Sequence, residues 1–274
     1  MKRNWISYPY IVWMLIFIAI PLMLIVYYSF TIETEEGIRF TFENIRKCMD
    51  PIYLNVLLKS ILLALISTAI CLVIGYPAAL ILASREFSRK RIMVLLIIVP
   101  MWFNFLLRTY AWMTLLDQNG IINTILGWLH LPEAELLYTN QAVIVGMIYN
   151  FLPFMVLPIY STLSKMDKSL LEAAEDLGGN KAVVFRRVIL PMSLPGVMSG
   201  ITMVFMPAVT TFVIPKLLGG GQYTLIGNLI EKQFLLVSDW NFGSALSFIL
   251  MVIILISMAV MSRLDKDREE GALW

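Results

Sequence analysis

Apolar residues in this chain gather into six long stretches, each near the ~20 residues that carry a helix across a bilayer core. The stretches cover about Tyr10–Phe30, Asn55–Ala83, Ile92–Leu116, Gln141–Leu163, Pro195–Leu218 and Phe242–Ser262. Charged and turn-forming residues collect between them. The pattern predicts an all-α membrane protein of six transmembrane helices, a single transmembrane domain over residues 1–274. Lys2 and Arg3 ahead of the first stretch raise the alternative of a signal peptide. That stretch is about 20 residues, longer than a typical signal core. It ends in Tyr27-Tyr28-Ser29-Phe30-Thr31, without a small-residue cleavage site. A retained first helix is expected.

Basic residues set the orientation. With the N-terminus inside, the inner segments hold Lys2, Arg3, Arg85, Arg89, Lys90, Arg91, Lys165, Lys168, Lys181, Arg186, Arg187, Arg263, Lys266 and Arg268. The outer segments hold Arg39, Arg46, Lys47 and Lys232. Fourteen against four places both termini in the cytoplasm.

Composition narrows the function classes. The chain is 59% apolar and 15% charged, with a mean hydropathy of +0.79. Soluble domains carry roughly 25% charged residues and about 45–50% apolar ones. A bilayer can cover that apolar surface, whereas one globular core cannot. The net charge of +2 is too small to argue for nucleic acid. One His, His130, and two Cys, Cys48 and Cys71, leave little for a metal site or a disulfide framework. A zinc protease would need a two-His motif. The Lys-Ser pairs Lys59-Ser60 and Lys168-Ser169 follow Leu58 and Asp167, where a phosphate-binding loop requires Gly. ATP hydrolysis is not expected on this chain.

Pro21, Pro77, Pro100, Pro153, Pro158, Pro207 and Pro215 fall inside the apolar stretches, as kinks that neighbouring helices can accommodate. Pro153 with Pro158, and Pro207 with Pro215, are candidates for shaping a pathway. Segment 164–194 is the longest between stretches and is amphipathic. Ser169 followed by Glu172 has the form of a capping box. Leu170, Leu171, Ala173, Ala174 and Leu177 form an apolar stripe opposite Glu175 and Asp176. Gly178 suits a left-handed C-terminal cap, and Asn180 caps a second short helix carrying Val183, Val184 and Val188. Leu190-Pro191 is expected to end that helix. Physics alone leaves two readings open for this segment: a helix lying on lipid headgroups, or a docking element for a cytoplasmic partner.

Glu172-Ala173-Ala174, three residues, Gly178, nine residues, Val188, one residue and Leu190-Pro191 resemble the EAA loop of ABC importer permeases. Val188 stands where that pattern usually has Ile. The runs Val99-Pro100-Met101-Trp102-Phe103-Asn104, Arg108-Thr109-Tyr110, Leu152-Pro153-Phe154, Leu225-Ile226-Gly227-Asn228 and Asp239-Trp240 are similar to the first permease subunit of spermidine/putrescine importers. The resemblance implies a type I ABC importer permease fold in a bacterial cytoplasmic membrane, crossing it several times. It implies a heterodimer with a second, similar permease, an ATPase homodimer that holds ATP and Mg, and an extracytoplasmic polyamine-binding protein. It assigns Glu172, Ala173, Ala174, Gly178, Leu190 and Pro191 to coupling with the ATPase. No cofactor is expected on this chain. The same kind of permease for an inorganic anion or iron is the alternative, and a channel or scaffold is the reading from another class.

A polyamine is a long cation, suited by carboxylates and aromatic faces. Trp102, Asn104 and Tyr110, with Trp112, follow the Pro100 kink, and Asp117, Glu133 and Glu135 lie in a segment, Asp117–Asn140, without Lys or Arg. Trp102, Asn104, Tyr110 and Asp117 are the candidate substrate-path residues. An interfacial aromatic belt is the competing reading. Arg108 lies ~24 Å beyond Ile92 on a straight helix, where it would snorkel or find a structural pair; it would repel a polyamine and is not assigned to substrate. Lys59 and Lys216 fall near the outer ends of their stretches.

Overall fold

A computed structural model describes residues 8–35, 37–84, 90–221 and 223–271. Lys2, Arg3, Arg85 and Arg89 of the orientation argument lie outside the described residues. The first apolar stretch forms α1 (Pro9–Ser29). A hairpin of β1 (Thr31–Thr34) and β2 (Gly37–Phe40) follows, then α2 (Glu43–Cys48) and α3 (Pro51–Ala83). Next come α4 (Lys90–Trp102), α5 (Phe105–Leu116), α6 (Ile121–Trp128) and α7 (Asn140–Ser164). The remainder is α8 (Lys168–Asp176), α9 (Lys181–Thr210), α10 (Val213–Leu218), α11 (Ile226–Lys232) and α12 (Trp240–Gly271).

Among the described residues, α1, α3, α7, α9 and residues 240–263 of α12 are each long and apolar enough to cross a bilayer. The third predicted span, Ile92–Leu116, is not one helix. Ile92–Trp102 and Phe105–Trp128 meet at 95°, which gives six crossings if the bent pair counts as one. The cause is local. Pro100 weakens the end of α4, and Asn104 takes an extended backbone (φ −54°, ψ 129°) to cap α5 through its side chain, which accepts from Leu106 N at 2.8 Å.

The fifth span also departs from expectation. Its helix begins at Lys181, runs through Leu190 and Pro191, and stops at Thr210, so the predicted range Pro195–Leu218 is displaced. Thr211 is extended, and α10 is a separate six-residue helix. Leu190-Pro191 therefore does not end a short helix. A wide turn at Phe185–Ile189, in which Leu190 N donates to Phe185 O, loosens the ladder just before the residue that lacks an N–H. That widened turn accommodates Pro191 and keeps the helix going.

The chain divides into two compact units, Met1–Leu58 with Ile226–Ser257, and Lys59–Leu225 with Met258–Trp274. In the first, Phe30, Phe40, Phe42 and Phe248 cluster, with Phe30 at 5.4–5.8 Å from each of the other three. Asn241 Nδ2 donates to Thr31 O at 2.6 Å and Asn44 Nδ2 to the same carbonyl at 2.9 Å, fixing the hairpin's start. Among the described residues, the most apolar 18-residue window of α1 has no buried position, although Ser29 at its end is buried.

The second unit is built around α7 and α9, which approach closely at glycines. A Cβ on Gly200 would lie 2.8 Å from Met155 Sδ and 3.1 Å from Met155 O. A Cβ on Gly196 would meet Thr162 Oγ1 at 2.5 Å and Pro158 O at 2.9 Å. Small residues let membrane helices pack backbone to backbone where no hydrophobic drive separates helix from lipid.

Candidate functional site

The segment between α7 and α9 is built from local capping chemistry. Asp167, not Ser169, caps α8: its side chain accepts from Ser169 N at 3.0 Å. The capping-box reading is corrected by two residues, because Asp caps at least as well as Ser and stands earlier in the chain. The other end follows expectation. Gly178 has φ +83°, its N–H donates to Glu175 O at 2.9 Å, and Gly179 N–H donates to Ala174 O at 3.0 Å. This pair of bonds is a Schellman motif. Asn180 then caps α9 by accepting from Val183 N at 3.0 Å.

The apolar stripe of α8 divides between two environments. Leu171 and Ala174 are half-buried, whereas Leu170 and Ala173 are exposed and Leu177 is 90% exposed. Leu171, Glu172 and Glu175 line a recess of about 430 Å³ with Leu80 of α3, Leu163 of α7 and Ile189. So α8 rests one edge on the bundle and leaves its Ala173–Leu177 side open. Leu190 and Pro191 lie inside α9 and do not share that surface. The Gly178-Gly179 corner joins α8 directly to α9, which is continuous from Lys181 to Thr210. Buried Tyr76 braces that helix from α3: its hydroxyl lies 2.8 Å from Ser193 Oγ, and Ser193 Oγ donates to Leu190 O at 2.9 Å. The Tyr76 ring also meets Phe185 edge-on at 6.0 Å. Sequence reading missed this brace, since a Tyr in an apolar run signals no partner.

The candidate path residues do not gather at one point in the chain. Trp102 ends α4 and is 80% exposed. Asn104 is spent as the cap of α5, Tyr110 is exposed midway along α5, and Asp117 ends it. The Asp117 main-chain carbonyl accepts from Gly120 N at 2.9 Å and Asn123 Nδ2 at 3.3 Å, leaving its carboxylate exposed. Trp112 packs instead, at 5.4 Å from the ring of Tyr149 on α7. Glu133 and Glu135 are exposed. The Arg108 guanidinium sits 5.9 Å from the Phe105 ring, with its Nε buried and unpaired among the described residues. Burial pushes the Cys48 thiol up to about 12, so it stays protonated and unreactive near neutral pH.

The described residues hold no group of three metal-binding side chains. Residues 72–270 match the family described as binding-protein-dependent transport system inner membrane component. The chain belongs to this family. It is thus a multi-pass inner-membrane transport component, not an enzyme. The spermidine/putrescine transport system permease protein PotB of Escherichia coli K12 is 39% identical over 259 residues, covering 93% of this chain and 94% of that one. PotB of Haemophilus influenzae is 39% identical over 262 residues, covering 93% and 91%. Two crystal structures of a bacterial alginate ABC importer share the fold. One, of a bacterial ABC transporter involved in alginate import, superposes with a TM-score of 0.79 at 18% identity, covering 96% of each chain. Its complex with the alginate-loaded periplasmic protein superposes with a TM-score of 0.81 at 16% identity, covering 97% and 96%. The six-span reading, with its ABC importer permease architecture, therefore holds for this family member.

Proposed function

We propose that this chain is the first permease subunit of an importer that moves the polyamines spermidine and putrescine into the cytoplasm by alternating access. The observation that carries the reading is 39–40% identity, along nearly the whole chain, to permeases named for those solutes. Its partners are a second, homologous permease, an ATPase homodimer that holds ATP and Mg, and an extracytoplasmic polyamine-binding protein. The chain itself needs no cofactor. Glu172, Ala173, Ala174 and Gly178 couple α8 to the ATPase, with Ala173 on its open side, and Leu190 and Pro191 carry its motion up α9. Trp102, Asn104, Tyr110 and Asp117 belong to the substrate's path, where exposed ring faces and a carboxylate suit alkylammonium groups. In the assembled, membrane-embedded transporter of four such subunits plus lipid, ATP hydrolysis is expected to rise when the binding protein is loaded with spermidine. Stimulation by a sulfate- or iron-loaded binding protein instead would refute the polyamine assignment.

Both termini lie in the cytoplasm on this reading, together with Lys181, while Glu35 and Glu133 face outward. Single cysteines at positions 181 and 133 test it with an impermeant thiol reagent. The native Cys48 and Cys71 are both buried, at 4% and 0% exposure, so the background is low. Position 133 is expected to label from outside and position 181 only after the membrane is opened. The reverse pattern contradicts the orientation.

A further inference from the structure

Helix α3 carries a single Lys, Arg, Asp or Glu in its 33 residues, and it is Lys59. A lone charge in an apolar helix pairs with another charge or a backbone carbonyl, or, near a helix end, reaches toward the interface. Lys59 forms no ion pair among the described residues. Its ammonium nitrogen lies 4.3 Å from the centroid of the Tyr223 ring. Both residues are half-buried. A run of three glycines, Gly219–Gly221, ends two residues before Tyr223 in the chain, and in it Gly220 and Gly221 have φ of +59° and +75°. That turn is anchored: Tyr138 N donates to Leu218 O at 2.9 Å, and a Cβ on Gly220 would collide with the Tyr138 ring. Gly220 thus combines a positive φ with a close approach to the Tyr138 ring that leaves no room for a side chain.

The group on that ring has a recognisable chemistry. A lysine side chain is a primary ammonium on four methylenes, the same group that ends a linear polyamine. We propose that the Tyr223 ring face is an ammonium-binding position on the substrate's route, and that Lys59 occupies it as a tethered stand-in displaced by the incoming polyamine. The inference rests on the polyamine reading given above. A neutral ring attracts an ammonium through its quadrupole without the deep Coulomb well of a carboxylate. Occupancy is then brief, as a transport route requires.

The test uses the complete transporter in liposomes, with the binding protein and ATP, reading initial uptake of labelled spermidine. Tyr223→Leu removes the ring face and is expected to lower uptake roughly two- to thirtyfold, and Tyr223→Phe to recover most of that loss. Lys59→Met keeps the stem and removes the competitor, so its uptake is expected to rise above wild type. A structural clip makes the opposite demand, that both Tyr223→Leu and Lys59→Met lower uptake. A Lys59→Met rate at or below wild type overturns the proposal, as does a Tyr223→Leu rate equal to wild type. Where Tyr223→Leu fails to assemble, the sign of the Lys59→Met change decides alone. Wild-type liposomes that take up no spermidine overturn the polyamine reading and this inference with it, a result seen before any variant is compared.

Discussion

Gly178→Val is expected to abolish ATP-driven uptake while the chain still inserts into the membrane at normal levels. Gly178 holds φ +83° at the corner between α8 and α9. A side chain there pays the left-handed penalty of about 1–2 kcal/mol, more for a β-branched residue. A Cβ at that position meets nothing within 4 Å in this chain, so packing of the bundle is not disturbed. The defect is confined to the corner's shape and to whatever docks against the open side of α8. At 1.4 kcal/mol per factor of ten, the backbone term alone shifts the corner's equilibrium roughly tenfold. Gly178→Asn tolerates the left-handed region and is expected to retain several times more uptake than Gly178→Val. Quantifying the chain in isolated membranes, with uptake and ATPase rates of the purified assembly, separates the effects. Loss of inserted protein with Gly178→Val, or normal uptake, would contradict the role given to this corner.

Gly196→Val is expected to fail earlier, at folding of the bundle itself. Its new Cβ would stand 2.5 Å from Thr162 Oγ1 and 2.9 Å from Pro158 O, where backbone cannot yield as a flexible side chain can. Overpacking of a tight core costs about 1–3 kcal/mol, and the upper end applies where the obstacle is a carbonyl. Thr162 Oγ1 also donates to Pro158 O at 3.1 Å, a bond the intruding methyl groups would break. Reduced yield of detergent-soluble monodisperse protein and a lowered melting temperature are the readouts. The gentler Gly200→Ala faces Met155 Sδ at 2.8 Å as well as Met155 O, so part of its clash can relax. It is expected to fold with a smaller loss. Equal behaviour of the two variants would argue against backbone contact at Gly196 as the cause.

How much of this was legible in the residues follows from which forces act locally. Long apolar runs reveal membrane helices because burial of backbone polar groups in lipid leaves helix as the way to cross. Gly178 and Asn180 revealed the corner because each residue's own preference matches the bond it makes. Ser169 misled because Asp167 competes for the same backbone donors two residues earlier, and propensity cannot rank two good caps. The elbow at Phe103-Asn104 was hidden since the apolar run continues unbroken across it, and the capping value of Asn104 shows only once the chain has turned. Pro191 misled in the other direction: in water a proline ends a helix, but a widened turn ahead of it and the brace from Tyr76 through Ser193 carry α9 onward. Pairings between distant segments, such as Tyr76 with Ser193, leave no local signal at all.

Cells lacking this chain test most directly whether it belongs to a route for polyamines. Uptake of labelled spermidine and putrescine is measured in a strain deleted for this subunit, with and without the gene restored. Restoration is expected to return polyamine uptake, and Gly178→Val to leave it at the deleted level. Unchanged polyamine uptake on restoration, with rescue of sulfate, molybdate or iron transport instead, would contradict the polyamine assignment while leaving the permease family intact.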